Sequence, residues 1–225
     1  MVMAIKENVY KIKKSIPEGT TLIAVSKTRS LEELQEAYEC NIRDFGENKV
    51  QELIEKIDNF HNDVRWHLIG HLQSNKVKYI VGKVHLIHSL DNIRLLKEIE
   101  KRYSMCDKVA NALIQINIGR DPNKSGVLKE DLQDLINECE KCKYVKIKGI
   151  MTVIPKGNQN ANREYFKEMK NIYDFLSKNN YNNIKMEFIS MGMTGDYKIA
   201  LEEGSNMVRI GEGIFGKRVY NGSVN

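Results

Sequence analysis

Lys27 stands directly after the apolar, β-rich run at residues 22–26 and before a helical pattern. A charged amine is costly to remove from water at the buried end of such a strand. A lysine that gives up its charge to condense with an aldehyde would explain this placement. The alternative is an ordinary lysine whose stem covers apolar surface while its head reaches water. Lys27 taken alone leaves both interpretations open.

Glycines and a hydroxyl side chain follow the last two β-rich runs, which end at Ser190 and Ile210. The first of these runs leads into a short segment with Thr194, and the second leads into Gly211, Gly213 and Gly216. Backbone N–H groups in such loops can approach and bind an anion closely. We therefore predict an anion site between the two loops, suited to a phosphate group.

Arg209 lies within the last β-rich run and shares a face with Met207 and Gly211, because side chains alternate along a strand. A guanidinium on a buried strand needs an anionic or electron-rich partner. That partner is either a ligand or a local carboxylate such as Glu187. The sequence around Arg209 does not decide between them.

The elements that must position these residues are short β-rich runs that alternate with amphipathic helical patterns. The runs are residues 22–26, 42–45, 65–69, 84–88, 112–118, 146–153, 186–190 and 207–210. The helical patterns are residues 4–14, 31–40, 49–57, 75–81, 93–103, 129–141, 163–177 and 196–203. Eight such units in about 200 residues favour an α/β protein with a (β/α)8 TIM-type barrel over an open doubly wound sheet. We expect a single domain over residues 1–225.

A closed barrel would bring the chemistry-bearing residues together. Its first and last strands are neighbours, and ligands bind at the C-terminal ends of the strands. Lys27, Arg209 and the anion site would then face one ligand. An aromatic aldehyde with a phosphate group would reach all three, and pyridoxal 5′-phosphate has that shape.

Several motifs along the chain belong together as a family pattern. They are AVSKT at 24–28, FGENKVQE at 45–52, HLIGHLQSNK at 67–76, NKSG at 123–126, GIM at 149–151, SMGMT at 190–194 and VRIGEGIFG at 208–216. In this order they cover essentially the whole chain. The sequence resembles the pyridoxal phosphate homeostasis protein family, whose barrel is similar to the N-terminal domain of bacterial alanine racemases.

The resemblance implies that the cofactor is pyridoxal 5′-phosphate and that Lys27 carries it as an internal aldimine. It further implies that Arg209 faces the pyridine nitrogen and that Asn48 lies beside the cofactor. The residues implied to hold the phosphate are Ser190, Thr194 and Gly211. No residue is expected to be catalytic. Lys124, in the loop after the fifth strand, is either a second amine near the site or a solvated loop lysine.

These features favour a carrier over an enzyme. Racemisation needs a second acid–base group on the opposite face of the substrate. The resemblance implies that alanine racemases take this group from a separate domain, for which the sequence ending at Asn225 leaves no room. We therefore expect a monomeric protein that holds the cofactor, takes part in vitamin B6 homeostasis and supplies apo-enzymes. The alternatives are a small amino-acid racemase with Tyr197 or His71 as second base, and a barrel that binds another phosphate without a covalent bond.

Composition excludes several other classes of function. The net charge is +5 and the 35 Lys and Arg residues are spread along the chain, which argues against nucleic-acid binding. No apolar stretch is long enough to span a bilayer, and the N-terminus turns charged too soon for a secretory signal, so we expect a cytoplasmic protein without membrane contact. The C-x-x-C at 139–142 has no second pair, and His85 and His88 would point to opposite faces of a strand. We predict no metal site.

Overall fold

Eight parallel strands close into a barrel in the order of the chain, with β1 paired to both β2 and β8. The structure is a computed structural model that describes residues 5–217. The strands are β1 (Thr21–Val25), β2 (Asp44–Glu47), β3 (Arg65–Leu68), β4 (Leu86–Leu90), β5 (Ala110–Gln115), β6 (Val145–Met151), β7 (Ile184–Met193) and β8 (Met207–Ile210). This confirms the predicted (β/α)8 barrel. The prediction of one domain over residues 1–225 extends beyond the described residues and stays a prediction.

The helices surround the barrel. They are α1 (Ile5–Ser15), α2 (Leu31–Glu39), α3 (Val50–Asn59), α4 (Ile93–Ser104), α5 (Leu132–Cys139), α6 (Gln159–Ser177), α7 (Tyr197–Glu202) and α8 (Glu212–Phe215). The capping box of Ser30 and Glu33 that begins α2 is present, because each side chain binds the other residue's backbone N–H. Within residues 5–217, none of the helices has the length and apolar character needed to cross a bilayer.

One predicted helix has a different form. The segment between β3 and β4 is a 3₁₀ helix at Ser74–Tyr79, where an α-helix was expected over residues 75–81. Its N–H groups bind carbonyls three residues back, as from Ile80 to Val77 at 3.1 Å. Val77 and Ile80 are both buried, and a spacing of three aligns side chains on a 3₁₀ helix. The tighter helix therefore buries both apolar residues in a short connection.

Two strand ends differ from the prediction in a way that matters for the site. β2 runs over Asp44–Glu47 instead of 42–45, and β7 continues to Met193 instead of ending at Ser190. Glycine usually weakens the interior of a strand, yet Gly46 lies within β2. A side chain at this position would approach Ile23 to 2.8 Å inside the barrel. The crowded interior thus requires glycine within the strand. Both strands extend further toward the C-terminal end of the barrel than predicted.

The core has two parts, one on each face of the closed sheet. The larger lies between the strands and the helices. A small apolar layer fills the barrel interior and consists of Ile23, Leu86, Leu113, Met151 and Met207. Because Ile23 points inward, alternation along β1 directs Val25 toward the interior at the C-terminal end of the strand. Ser26 follows with its hydroxyl bonded to Glu47, and Lys27 begins the next turn.

Candidate functional site

A cavity of about 810 Å³ opens at the C-terminal ends of β1, β2, β7 and β8. Its walls include five of the residues predicted from the sequence, Lys27, Asn48, Thr194, Arg209 and Gly211. Apolar side chains complete part of the wall, among them Val25, Ile69 and Val153. A concave, partly apolar site with a few convergent polar groups is typical of cofactor binding. The structure therefore brings these predicted residues together in one place.

The predicted anion site lies where the loops after β7 and β8 meet. Thr194 Oγ1 accepts a hydrogen bond from the Gly213 N–H at 3.1 Å, which ties the two loops together. Gly211 packs against β1, because a side chain at this position would lie 3.3 Å from Val25 Cβ. A side chain at Gly195 would extend into open space. The loop backbones at Gly195 and Gly211 thus reach the cavity without side chains that would cover them.

Arg209 is buried at the cavity wall with 4% of its surface exposed. Its Nη1 donates to Ser190 Oγ at 2.6 Å, and its Nη2 donates to the Thr152 carbonyl at 2.8 Å. Both acceptors are neutral. Burial lowers the pKa of Arg209 to about 10, so the guanidinium is still charged at neutral pH. A buried cation held by neutral oxygens at a cavity wall favours an anionic or electron-rich ligand.

Within the described part of the chain, Glu187 and Arg209 form no ion pair. Glu187 instead binds Lys148 at 3.1 Å and Lys185 at 3.3 Å. Glu187 and Arg209 lie on different sides of the sheet, since Arg209 points into the barrel while Glu187 is partly exposed among surface lysines. Glu187 is therefore not the partner of Arg209, and the ligand alternative remains.

Ser190 lies beneath Arg209 and, among the described residues, is not part of the cavity wall. Its side chain is fully buried. The position follows from the length of β7: because the strand continues to Met193, Ser190 lies inside the barrel rather than at the end of the strand. Ser190 therefore contacts the guanidinium at the cavity wall, and its implied role as a phosphate ligand stays a prediction.

A chain of hydrogen bonds continues from Ser190 through the barrel. Ser190 Oγ is 3.4 Å from His88 Nδ1, His88 Nε2 is 3.0 Å from His67 Nδ1, and His67 Nε2 is 3.0 Å from Asp44 Oδ1. Burial, followed by the nearby His67 and Arg209, holds the pKa of His88 well below its usual value, so this imidazole is neutral.

The donors in this chain point one way. Arg209 can only donate, so Ser190 accepts from it, and the Ser190 hydroxyl hydrogen is then available for donation to His88 Nδ1. His88 then carries its proton on Nε2 and donates to His67. His67 in turn donates to the Asp44 carboxylate. This assignment of tautomers satisfies every member of the chain, which we call the interior relay (Ser190, His88, His67 and Asp44).

Asp44 ends the interior relay at the opposite mouth of the barrel. Arg65 donates to its two oxygens at 2.7 and 2.5 Å. Burial alone would raise the pKa of Asp44, but the hydrogen bonds from His67 and Arg65 outweigh it and lower that pKa to about 2. Sequence reasoning missed the relay. Alternation indicates which residues point inward on each strand, but not which of them meet across strands.

Acid should weaken the fold through Asp44. The folded pKa of about 2 is below the unfolded value of 3.8, so the carboxylate contributes stability above pH 4 that is lost as the pH falls toward 2. The full contribution is about 2 kcal/mol, of which about half is lost at pH 3. In urea unfolding, the wild type and Asp44→Asn should differ in their free energy of unfolding, and this difference should narrow by about 1 kcal/mol between pH 5 and pH 3. A gap that stays constant over this range would contradict the assignment.

Other polar residues near the mouth are engaged outside the cavity wall. Lys124 Nζ donates to the Ile154 carbonyl at 2.6 Å, so it is neither a fully solvated lysine nor part of the described cavity wall. Tyr197, one candidate for a second base, forms a hydrogen bond with Ser15 at 2.9 Å. The other candidate, His71, lies 3.4 Å from Asp91. Neither candidate is found among the described residues that line the cavity.

Comparison with known proteins identifies the family. The family model described as alanine racemase, N-terminal domain, matches residues 2–219. The chain is 41% identical to the pyridoxal phosphate homeostasis protein of Aquifex aeolicus over 201 residues, which are 88% of this chain and 87% of that protein. It belongs to the pyridoxal phosphate homeostasis protein family. Its relative in Synechocystis is 36% identical over 91% of this chain and 94% of that protein.

A solved structure of the same fold contains the cofactor. PipY of Synechococcus elongatus with PLP bound superimposes with a TM-score of 0.87 and 29% identity, over 94% of this chain and 100% of that chain. These matches confirm the family and the fold expected from the sequence motifs.

Proposed function

We propose that this chain binds pyridoxal 5′-phosphate in the cavity at the C-terminal end of the barrel and takes part in vitamin B6 homeostasis. The observation that carries the proposal is the pairing in one cavity of Lys27 with the buried Arg209 cation, which donates to the neutral oxygens of Ser190 and Thr152. The related PipY structure with PLP bound supports the same ligand.

The residues present fit this cofactor. Lys27 would bind the aldehyde end covalently, and Arg209 would donate to the ring nitrogen. Thr194 and the amides near Gly211 would hold the phosphate, while Asn48 would lie beside the ring. When bound, pyridoxal phosphate supplies an aldehyde carbon that condenses with a neutral amine and releases one water.

Arg209 favours holding the cofactor over chemistry on amino acids. A guanidinium has only N–H donors, so a ring nitrogen that meets it must act as an acceptor and stay unprotonated. An unprotonated ring is a weaker electron sink. A racemase would also need a second acid–base group facing the ligand, and Tyr197 and His71 are engaged elsewhere. We therefore propose a carrier that passes the cofactor to apo-enzymes, and we propose it as a cytoplasmic monomer.

Titration with pyridoxal phosphate tests the proposal. We expect one equivalent to bind, with an absorbance band near 420 nm (roughly the position for a protonated imine of this cofactor). Incubation of the loaded protein with an apo-enzyme should restore that enzyme's activity faster than the same loaded protein kept behind a dialysis membrane, which lets only released cofactor reach the apo-enzyme. Absence of binding, or binding without the band, would overturn the proposal. Rapid exchange of the α-hydrogen of an amino acid in heavy water would favour the racemase instead.

A further inference from the structure

Three charged side chains form a cluster directly behind Lys27, on the outer face of β1 and β2. Lys56, on α3, is 6% exposed, and Glu47, at the end of β2, is fully buried. Lys56 Nζ lies 2.8 Å from Glu47 Oε1, 2.8 Å from Glu52 Oε1 and 2.8 Å from the Ser26 carbonyl. An ammonium group has three hydrogens, so these three acceptors satisfy it completely. We call Glu47, Glu52 and Lys56 the Lys56 cluster.

The Lys56 cluster holds the residues on both sides of Lys27. Before it, the Ser26 hydroxyl donates to Glu47 Oε1 at 2.6 Å. After it, the Thr28 N–H donates to Glu52 Oε1 at 2.5 Å. The Glu47 and Glu52 oxygens that accept these bonds are the ones that bind Lys56. The backbone from residue 26 to residue 28 is therefore attached to a single ammonium group.

The backbone at Thr28 needs such support. Its φ of 63° lies in the left-handed region, which a β-branched residue rarely adopts. A strained residue of this kind persists only where the surrounding contacts impose it, and such residues gather at functional sites. The hydrogen bond from Thr28 to Glu52 is a contact that can impose the turn. Lys27 and Thr28 lie together in the turn that follows β1, so the conformation of this turn contributes to the direction of the Lys27 side chain.

Burying the Lys56 cluster costs free energy that a purely structural contact would not need to overcome. Burial raises the pKa of Glu47, and its Oε2 has no hydrogen-bond partner within the described part of the chain. Buried ion pairs often stabilise a fold no better than apolar residues of similar volume. Apolar side chains between β2 and α3 would attach the helix equally well, but they could not bind the Ser26 carbonyl or the Thr28 N–H. The hydrogen bonds to the backbone around Lys27 are what the charged groups add.

We propose that Lys56 is a positioning residue for Lys27. Through Ser26 and through Glu52 it fixes the backbone on both sides of the lysine, so that Ser26 faces outward and the Lys27 side chain enters the cavity. This inference rests on the proposed function, because it concerns the covalent bond between Lys27 and the aldehyde. It assigns no contact between Lys56 and the ligand, since Lys56 is not among the described residues of the cavity wall.

Comparing two ligands distinguishes a positioning role of Lys56 from a purely structural one. Pyridoxal phosphate has an aldehyde, whereas pyridoxine phosphate carries an alcohol at the same carbon and cannot bond to Lys27. If the Lys56 cluster positions Lys27, its loss should weaken binding of the aldehyde by about tenfold or more, the range for one hydrogen bond to a charged group. Binding of the alcohol should change less than about twofold. A general destabilisation of the fold would lower the affinity for both ligands equally.

The variants are Lys56→Met and Glu52→Ala, with Glu55→Ala as a matched control on the exposed face of α3. Glu52 is partly exposed, so Glu52→Ala should fold even if Lys56→Met does not. Hydrogen exchange of the Thr28 amide in the ligand-free protein gives an independent readout and should be faster in Glu52→Ala than in the control.

Each outcome of these measurements either supports or overturns the positioning role of Lys56. Selective loss of aldehyde affinity in Glu52→Ala, with faster exchange at Thr28, supports positioning. Equal loss for both ligands, or no loss for either, overturns it. Failure of the wild type to bind either ligand would instead contradict the proposed function, so the two failures can be told apart.

Discussion

Lys27→Ala is expected to lower the affinity for pyridoxal phosphate by about a hundredfold or more, equivalent to about 2.7 kcal/mol. Its affinity for pyridoxine phosphate should stay within about twofold of the wild-type value, because the alcohol never forms the covalent bond and all contacts to ring and phosphate remain. Equilibrium titration followed by protein fluorescence measures both values. The variant should also lack the visible absorbance band that the wild type develops.

Lys49→Ala is the matched control for Lys27→Ala. Lys49 is exposed, precedes α3 and is not among the described residues of the cavity wall. We expect its affinity for both ligands to equal that of the wild type. If Lys27→Ala bound the aldehyde as tightly as the wild type, the amine would have no role in holding the ligand.

Arg209→Met is expected to lower the affinity for both ligands, each by about 10- to 100-fold. The reason is that the guanidinium would meet the ring nitrogen, which pyridoxal phosphate and pyridoxine phosphate share. Arg209→Lys should lie between the wild type and Arg209→Met, because it keeps the charge but loses the planar fork of donors. Loss of affinity for the aldehyde alone would show that Arg209 does not act at the ring.

The same Arg209→Met variant should be less stable, by about 1–3 kcal/mol in urea unfolding. It removes the donor for the Ser190 hydroxyl and for the Thr152 carbonyl, both of which are buried. Arg163→Met offers a matched control, because Arg163 on α6 pairs with Glu202 and Glu203 near the surface. We expect the control to leave both ligand affinities unchanged.

The fold and most of the cavity wall could be predicted because they depend on local patterns. A continuous apolar run identified β1 and therefore placed Lys27 at its end. The β/α alternation predicted a barrel, and a barrel makes β1 and β8 neighbours. From that adjacency alone, Lys27 and Arg209 had to lie near each other.

The position of Ser190 and the Lys56 cluster could not be predicted, because they depend on contacts that no local sequence pattern encodes. Ser190 was expected at the end of its strand, but β7 continues past it to Met193 and encloses its hydroxyl beneath Arg209. The partners of Lys56 are Ser26 just after β1, Glu47 on β2 and Glu52 on its own helix. The spacing along the chain reveals only the Glu52 pair at i, i+4. Hydrogen bonds between side chains on different strands follow from the register of the sheet, which sequence periodicity does not determine.

A crystal structure of the protein grown with pyridoxal phosphate tests the central claim most directly. We expect continuous electron density between Lys27 Nζ and the former aldehyde carbon, the ring nitrogen within hydrogen-bond distance of Arg209, and the phosphate between the loops of Thr194 and Gly211. A structure with the cofactor bonded to a different lysine, or with Lys27 turned to solvent while the loops bind nothing, would contradict it.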